Sequence, residues 1–223
     1  MINGDGDGIL KTTMNKILLF FLILAPFAAE ARPVSYPGGW TVMMQNSGDM
    51  HSIHTHYSPS AKYSIGLRNE YDRRDDFQNH SIQLNNLVKR WNNPDSQANF
   101  YLKSGIGYAI KKGNSDQSPS AFTGIAADWE NRRYFVSYEN RYVHANDITD
   151  DFHQSGRIGF APYIGDFGDL HTWLMLQIDH HPEANNDDHL TVTPLLRLFY
   201  DTHLLETGIN DNNDVLFNYI KRF

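Results

Sequence analysis

The sequence predicts an all-β fold: a single closed, antiparallel, up-and-down transmembrane β-barrel of about 12 strands, within a range of about 10–12. Three observations predict it. Apolar and polar residues alternate along most of the chain after residue 32, which is the period of a β-strand. Turn-forming residues separate the alternating segments. The connections alternate between longer and shorter ones, as in a barrel whose turns are short at one membrane face.

The alternation is regular enough to place each strand. Tyr63, Ile65 and Leu67, for example, alternate with Ser64, Gly66 and Arg68. Clusters of Asn, Asp, Gly, Ser and Pro mark the breaks between segments. The predicted strands are 39–45, 50–57, 61–72, 79–92, 97–111, 119–130, 132–143, 154–165, 169–180, 189–200, 202–209 and 213–223.

The predicted connections differ in length according to their parity. Those after the third, fifth, seventh and ninth strands are long: DRRDDFQ, KGNSDQSPS, HANDITDDFHQ and HHPEANNDDH. Those between them are mostly shorter: SPS, NRR, GDFGD and DT. A soluble β-sandwich has no reason to sort its loops in this way, whereas an outer-membrane barrel has short periplasmic turns and longer external loops.

Composition excludes several classes of function. The chain has 223 residues, no cysteine and a formal net charge of −7. Without cysteine there is no disulfide framework, thiolate zinc site or cysteine nucleophile. The acidic balance and the absence of a run of Lys and Arg argue against nucleic acid as a partner.

The N-terminal region predicts export. A lysine at Lys16 precedes an apolar run over 17–27, and Ala29 and Ala31 form a small-x-small pattern before Arg32. This is the layout of a secretory signal peptide, with an apolar run too short for a membrane helix. We therefore assign 1–31 to an N-terminal extension and cleaved signal peptide, with Met14 as an alternative start, and 32–223 to the barrel domain.

The final segment, VLFNYIKRF, carries a resemblance to bacterial outer-membrane β-barrel proteins as a class. Many of these proteins end on phenylalanine after alternating apolar residues, and the barrel-assembly machinery reads that strand. Val215, Phe217, Tyr219 and Phe223 match the pattern, while Lys221 departs from it and is expected to snorkel to the headgroups. The resemblance implies location in the bacterial outer membrane, with outer-membrane lipid and the assembly machinery as partners.

Charged residues occupy the rows opposite the apolar ones. Both signs recur along neighbouring strands, as expected for the lining of a narrow barrel in which pairing limits the desolvation penalty. The predicted lumen-facing charged residues are Lys62, Arg68, Glu70, Lys103, Asp128, Arg133, Glu139, Arg141, Arg157, Asp179 and Arg197.

The sequence contains eleven histidines, which is a signal for a metal site. No recognised ligand motif accompanies them. His54 and His56 would share one strand face, the i, i+2 geometry that chelates Cu(II), Ni(II) or Zn(II). The candidate ligands for copper or zinc are His54, His56, His171, His180, His181 and His189. Alternatively, these histidines are polar residues that line the lumen or lie in solvated loops, and in that case we expect no cofactor.

The predicted function is a non-enzymatic, narrow channel or structural barrel of the outer membrane. About 12 strands enclose a bore wider than that of an eight-stranded barrel and narrower than that of a porin. Neither candidate for acid–base chemistry is strong: His80 and Ser81 are adjacent and point to opposite faces, and only Asp179 and His181 would share one. The alternatives are a metal-handling barrel and a soluble periplasmic β-barrel or β-sandwich that binds a ligand.

Overall fold

A computed structural model describes residues 33–113, 116–182 and 190–223. The predicted signal peptide at 1–31 lies outside these residues. The strands are β1 Trp40–Asn46, β2 Met50–Ser60, β3 Tyr63–Asp72, β4 Phe77–Asn92, β5 Ser96–Lys111, β6 Gln117–Asn131, β7 Tyr134–Ala145, β8 Thr149–Phe160, β9 His171–His180, β10 Leu190–Tyr200, β11 His203–Ile209 and β12 Val215–Arg222. Among the described residues, no helix is long and apolar enough to cross a membrane.

Each strand pairs antiparallel with its neighbours in sequence, and β1 pairs with β12 to close the cylinder. The closing ladder runs from Thr41 opposite Arg222 to Asn46 opposite Phe217. The 12-stranded closed barrel confirms the predicted fold class. We call the end where Trp40 and Phe223 lie the terminal end, and the opposite end, with the turn after β1, the distal end.

Most of the large apolar side chains point outward. Leu67 is 59% exposed, Tyr138 is 39% exposed and Phe217 is 41% exposed. In two stacked sheets these side chains would be hidden between the layers. The β-sandwich alternative is therefore wrong.

Small and polar side chains fill the interior instead. His56, Asn79, Asn85 and Asn99 are among the most completely buried residues. Four aliphatic and aromatic residues of the inner wall, Phe135, Met175, Leu195 and Leu216, pack together, with Trp173 against them. The lumen of the barrel is thus largely filled by its own side chains, in part polar and in part apolar.

The strands extend into segments predicted as loops, so the difference in connection length is smaller than expected. The distal connections are 47–49, 73–76, 112–116, 146–148, 181–189 and 210–214. Those at the terminal end are 61–62, 93–95, 132–133, 161–170 and 201–202. Connection 161–170 breaks the predicted sorting, because β8 ends at Phe160 rather than at residue 165.

Candidate functional site

Glu70 forms the centre of one ion-pair cluster inside the barrel. Arg68, two residues earlier on β3, donates from Nε to Glu70 Oε2 at 2.5 Å. Arg141 reaches across the lumen from β7 and donates through both terminal nitrogens, at 2.9 and 2.7 Å. The bidentate geometry is the strongest form of this contact. It joins two walls that are separated by three other strands.

Glu206, on β11, is the centre of a second cluster. Arg197 faces it directly in the ladder between β10 and β11 and donates at 2.7 Å. Arg157 contacts both carboxylate oxygens from β8 at 3.2 Å, and Asn218 donates to Oε2 at 2.8 Å. The Glu206 side chain is only 3% exposed. This second bridge also spans the lumen.

Most of the predicted lumen-facing charges are inside. Besides the residues already described, Lys103 pairs with Glu139 at 2.6 Å, and Asp128 accepts a hydrogen bond from the buried Asn99 at 2.6 Å. Asp179 accepts one from Gln177 at 2.6 Å. Nine of the eleven predicted positions therefore lie on the inner wall: Arg68, Glu70, Lys103, Asp128, Glu139, Arg141, Arg157, Asp179 and Arg197.

The other two predicted positions lie in turns at the terminal end. Lys62 lies in the exposed turn 61–62 and Arg133 in the turn 132–133, because β3 begins at Tyr63 and β7 at Tyr134. The Arg133 guanidinium lies 5.9 Å from the ring centre of Phe160, at the terminal rim. Sequence reasoning also missed Glu206. A short turn of two residues, 201–202, joins β10 to β11, and it places Glu206 directly opposite Arg197. This pairing was the signal in the sequence that could have identified Glu206.

A cavity of about 170 Å³ occupies the distal half of the lumen. The Glu70 cluster borders it, whereas Glu206 does not, and its rim includes Asp49 and Asp214 from distal turns. The described lining contains seven carboxylates and four arginines: Asp49, Glu70, Asp72, Glu139, Asp151, Asp179 and Asp214, against Arg68, Arg74, Arg141 and Arg157. The cavity therefore has an acidic surplus.

Two histidines stack at the distal mouth of this cavity. The rings of His153 and His181 are 4.4 Å apart between centres and nearly parallel. Burial, with help from the neighbouring His153, lowers the pKa of His181 to about 3, so this imidazole is neutral at pH 7. Burial also raises the pKa of the Asp49 carboxyl, 3.5 Å from His181 Nε2.

The six predicted metal ligands do not converge. His54 and His56 face the lumen together, with ring centres 5.7 Å apart, but Arg68 stands directly opposite His54. His171 packs near Phe199 at the terminal end. His180 shares the outer face with Ile178 and contacts Gln154, while His189 lies outside the described residues. In the part of the chain that is described, no group of three or more His, Asp or Glu side chains is already arranged to hold a metal ion.

The predicted assembly segment forms the outer face of β12. Val215 and Phe223 are 57% and 60% exposed. Phe223 exchanges two backbone hydrogen bonds with Trp40 at the closing seam. Lys221 projects on the same face, where its Nζ lies 2.9 Å from His203 Nε2 and 5.3 Å from the ring centre of Phe223. The four residues Val215, Phe217, Tyr219 and Phe223 thus form one outward row.

Solved barrel structures are only distantly similar to this chain. The KdgM porin in complex with disordered oligogalacturonate is 7% identical, with a TM-score of 0.48, covering 83% of this chain and 98% of the porin. The translocator domain of the autotransporter NalP from Neisseria meningitidis is 7% identical, with a TM-score of 0.42, covering 95% and 96%. OprD from Pseudomonas aeruginosa is 9% identical, with a TM-score of 0.42, covering 83% and 64%.

No protein-family model and no curated relative matches the chain. Because the solved structures have such low sequence identities and TM-scores, we base the barrel assignment on the strand pairing of this chain itself.

Proposed function

We propose that this protein is a bacterial outer-membrane barrel that forms a narrow, cation-preferring channel and catalyses no reaction. The outer surface supports insertion into a membrane. Ile106 is 71% exposed and Leu67 59% exposed, and similar side chains recur on most strands. Such a continuous apolar surface is unfavourable in water. A closed antiparallel ladder, by contrast, leaves no unpaired strand edge to meet lipid.

The observation that carries the channel proposal is the inner wall. A structural barrel needs only enough side chains to fill its interior, yet this one leaves a cavity with a surplus of carboxylates on the distal side. Carboxylate rings favour the entry of cations. The Glu70 bridge borders this cavity, the Glu206 carboxylate lies outside its lining, and both bridges extend into the bore. The described conformation is therefore a narrow or closed state of the channel.

Conductance across planar lipid bilayers tests this proposal. We expect the wild-type protein to show conductance well below that of a sixteen-stranded porin, with a reversal potential in a KCl gradient that reports preference for K⁺. Arg141→Ala removes the arm that crosses the lumen to Glu70 and is expected to raise the conductance severalfold. Arg133→Ala is the matched control, because it removes the same side chain from the terminal turn, outside the bore.

Two outcomes would overturn the proposal. If the wild-type and Arg141→Ala barrels are both folded and neither conducts, the protein is a structural barrel. If the chain lacking residues 1–31 folds without detergent, the membrane assignment fails and the soluble periplasmic alternative replaces it. Heat-modifiable migration on gels, which reports a closed, detergent-resistant barrel, monitors folding in each case.

A further inference from the structure

The terminal half of the lumen has two unlike walls. On one side β2, β3 and β4 carry uncharged polar side chains: Ser58, Ser64, Gln83 and Asn85. On the other side β7, β9 and β11 carry apolar ones: Phe135, Trp173 and Leu204. Polar solutes keep their hydrogen bonds along the polar wall, so it is the side along which they would pass. Its four polar side chains are nevertheless at most 3% exposed.

Residues 33–35, which precede β1, return into this part of the lumen. The next four residues, 36–39, read YPGG and form a tight turn, in which the Gly39 N–H donates to the Tyr36 carbonyl at 3.0 Å. Gly38 has a φ of +86° there. Proline at the second position and glycine at the third suit a type II turn. The turn reverses the chain, so the residues before it point back into the terminal mouth.

Two hydrogen bonds attach this segment to the polar wall. The Ser35 backbone N–H donates to Ser58 Oγ at 3.0 Å, and Ser64 Oγ donates to the Pro33 carbonyl at 2.7 Å. Between these two anchors, Val34 is only 3% exposed. Residues 33–35 therefore lie inside the barrel and cover part of its polar wall.

This segment is held less strongly than the bridge at Glu70. Residues 33–39 contain no charged side chain, so their bonds to the wall join neutral groups. The bonds from Arg141 to Glu70 are charge-assisted, and such bonds are roughly twice as strong as neutral ones. The segment also precedes β1, which begins at Trp40. It can therefore leave the lumen without breaking the pairing of the strands.

We propose that residues 33–35 are a removable plug that closes the polar side of the lumen at the terminal mouth. This role rests on the proposed channel function. The plug and the Arg141–Glu70 bridge are then two barriers in series, one at the terminal end and one beside the distal cavity. Release of the plug leaves Ser58 and Ser64 to line an open polar path.

Thiol labelling tests the docking of the plug, because the chain contains no cysteine of its own. Val34→Cys places a single thiol at a buried position, and we expect a water-soluble maleimide to label it slowly in the folded, detergent-solubilised protein. Ser58→Ala combined with Ser64→Ala removes both anchors. We expect it to speed this labelling about tenfold, the effect of losing one or two neutral hydrogen bonds.

Two controls accompany this measurement. Tyr36→Cys places the thiol in the same turn at a position that is 58% exposed, and it is expected to react rapidly in every background. Ser81→Ala combined with Ser120→Ala removes two lumenal hydroxyls that bond to groups outside the plug. This pair is expected to leave the labelling of Val34→Cys unchanged.

Conductance across planar lipid bilayers tests the closure. Ser58→Ala combined with Ser64→Ala is expected to raise the conductance severalfold, whereas Ser81→Ala combined with Ser120→Ala is expected to leave it at the wild-type level. Because barriers in series limit the current together, adding Arg141→Ala to the first pair is expected to raise the conductance above that of either change alone.

A thiol at position 34 that reacts as fast as one at position 36 would show that residues 33–35 are not docked, and the proposal fails. It also fails if removal of both anchors speeds labelling but leaves conductance unchanged while Arg141→Ala raises it. If no variant conducts, the channel proposal is overturned and with it the closing role, whereas slow labelling at position 34 still reports docking.

A second variant covers the case in which the Ser58 and Ser64 variant does not fold, as monitored by heat-modifiable migration on gels. Gly38→Val strains the turn, because a β-branched residue is unfavourable at positive φ. This position lies outside the strands. Faster labelling of Val34→Cys and higher conductance are expected in this variant too, and the absence of both would overturn the proposal.

Discussion

Glu70 and Glu206 are each held by two arginines, yet they lie in different surroundings. Glu70 borders the distal cavity, and its arginines come from its own strand and from the far wall. Glu206 is outside the cavity lining, and its partner Arg197 stacks over Phe135, with 4.6 Å between the guanidinium carbon and the ring centre. Both arginines of Glu70 line the cavity, whereas of the two arginines of Glu206 only Arg157 does, so water reaches the Glu70 cluster more fully. We therefore expect the first cluster to control the bore and the second to control stability.

The largest expected effect is the loss of stability in Glu206→Gln. This change keeps the shape of the side chain but removes the charge shared by Arg157 and Arg197. Breaking a buried ion pair in this way destabilises a protein by about 3–5 kcal/mol. Urea unfolding in detergent micelles measures the free energy of unfolding. A loss below about 1 kcal/mol, the range of exposed pairs, would show that water reaches Glu206 and that the two clusters are alike.

Glu70→Gln is expected to cost less stability and to change conductance more. Its side chain is as buried as that of Glu206, at 2% exposure, but Arg68 and Arg141 line the cavity and gain water when the carboxylate is lost. We expect a loss of about 1–3 kcal/mol, the penalty for an unsatisfied partly hydrated group, together with a rise in single-channel conductance. Equal stability losses in Glu70→Gln and Glu206→Gln would contradict the comparison.

A double-mutant cycle separates the cross-lumen contact from other effects of these changes. Glu70→Gln and Arg141→Gln remove the two partners singly and together, and the coupling energy between contacting residues is about 0.5–3 kcal/mol. We expect a value in the upper half of this range, because two hydrogen bonds connect the side chains. Additive unfolding free energies would mean that the bridge across the bore does not persist in solution.

The same comparison shows what sequence alone can predict. Alternation with a period of two places Arg68 and Glu70 on one face, and it placed nine of the eleven predicted charges inside. Alternation does not predict which residue contacts Glu70 across the lumen, because that contact depends on the stagger of all the strands between β3 and β7. Part of that stagger arises at a β-bulge in β4, where the register against β5 shifts by one residue between Leu87 and Lys89. No pattern of residues in the sequence predicts this irregularity.

Glu206 and His153 were missed for different physical reasons. Around Glu206, Leu204 and Leu205 are consecutive apolar residues, so alternation does not say which face of β11 is inside. His153 lies in an Asp-rich segment whose composition is typical of a loop. In the structure, pairing with β7 extends β8 back to Thr149, so His153 lies in a strand. Pairing with β7 therefore determined the strand structure here, although the local composition is typical of a loop. As a result, residues predicted to form a loop line the mouth of the cavity.

The smallest expected effect belongs to the third ion pair of the lumen, between Lys103 and Glu139. Its nitrogen–oxygen distance of 2.6 Å is as short as those in the other clusters, but the Glu139 side chain is 47% exposed to the cavity. Exposed pairs contribute about 0.2–1 kcal/mol. Lys103→Met is therefore expected to change the unfolding free energy by less than about 1 kcal/mol and to be sensitive to salt. A loss as large as that of Glu206→Gln would mean that hydration does not explain the difference between the clusters, and that charge pairing alone sets their strength.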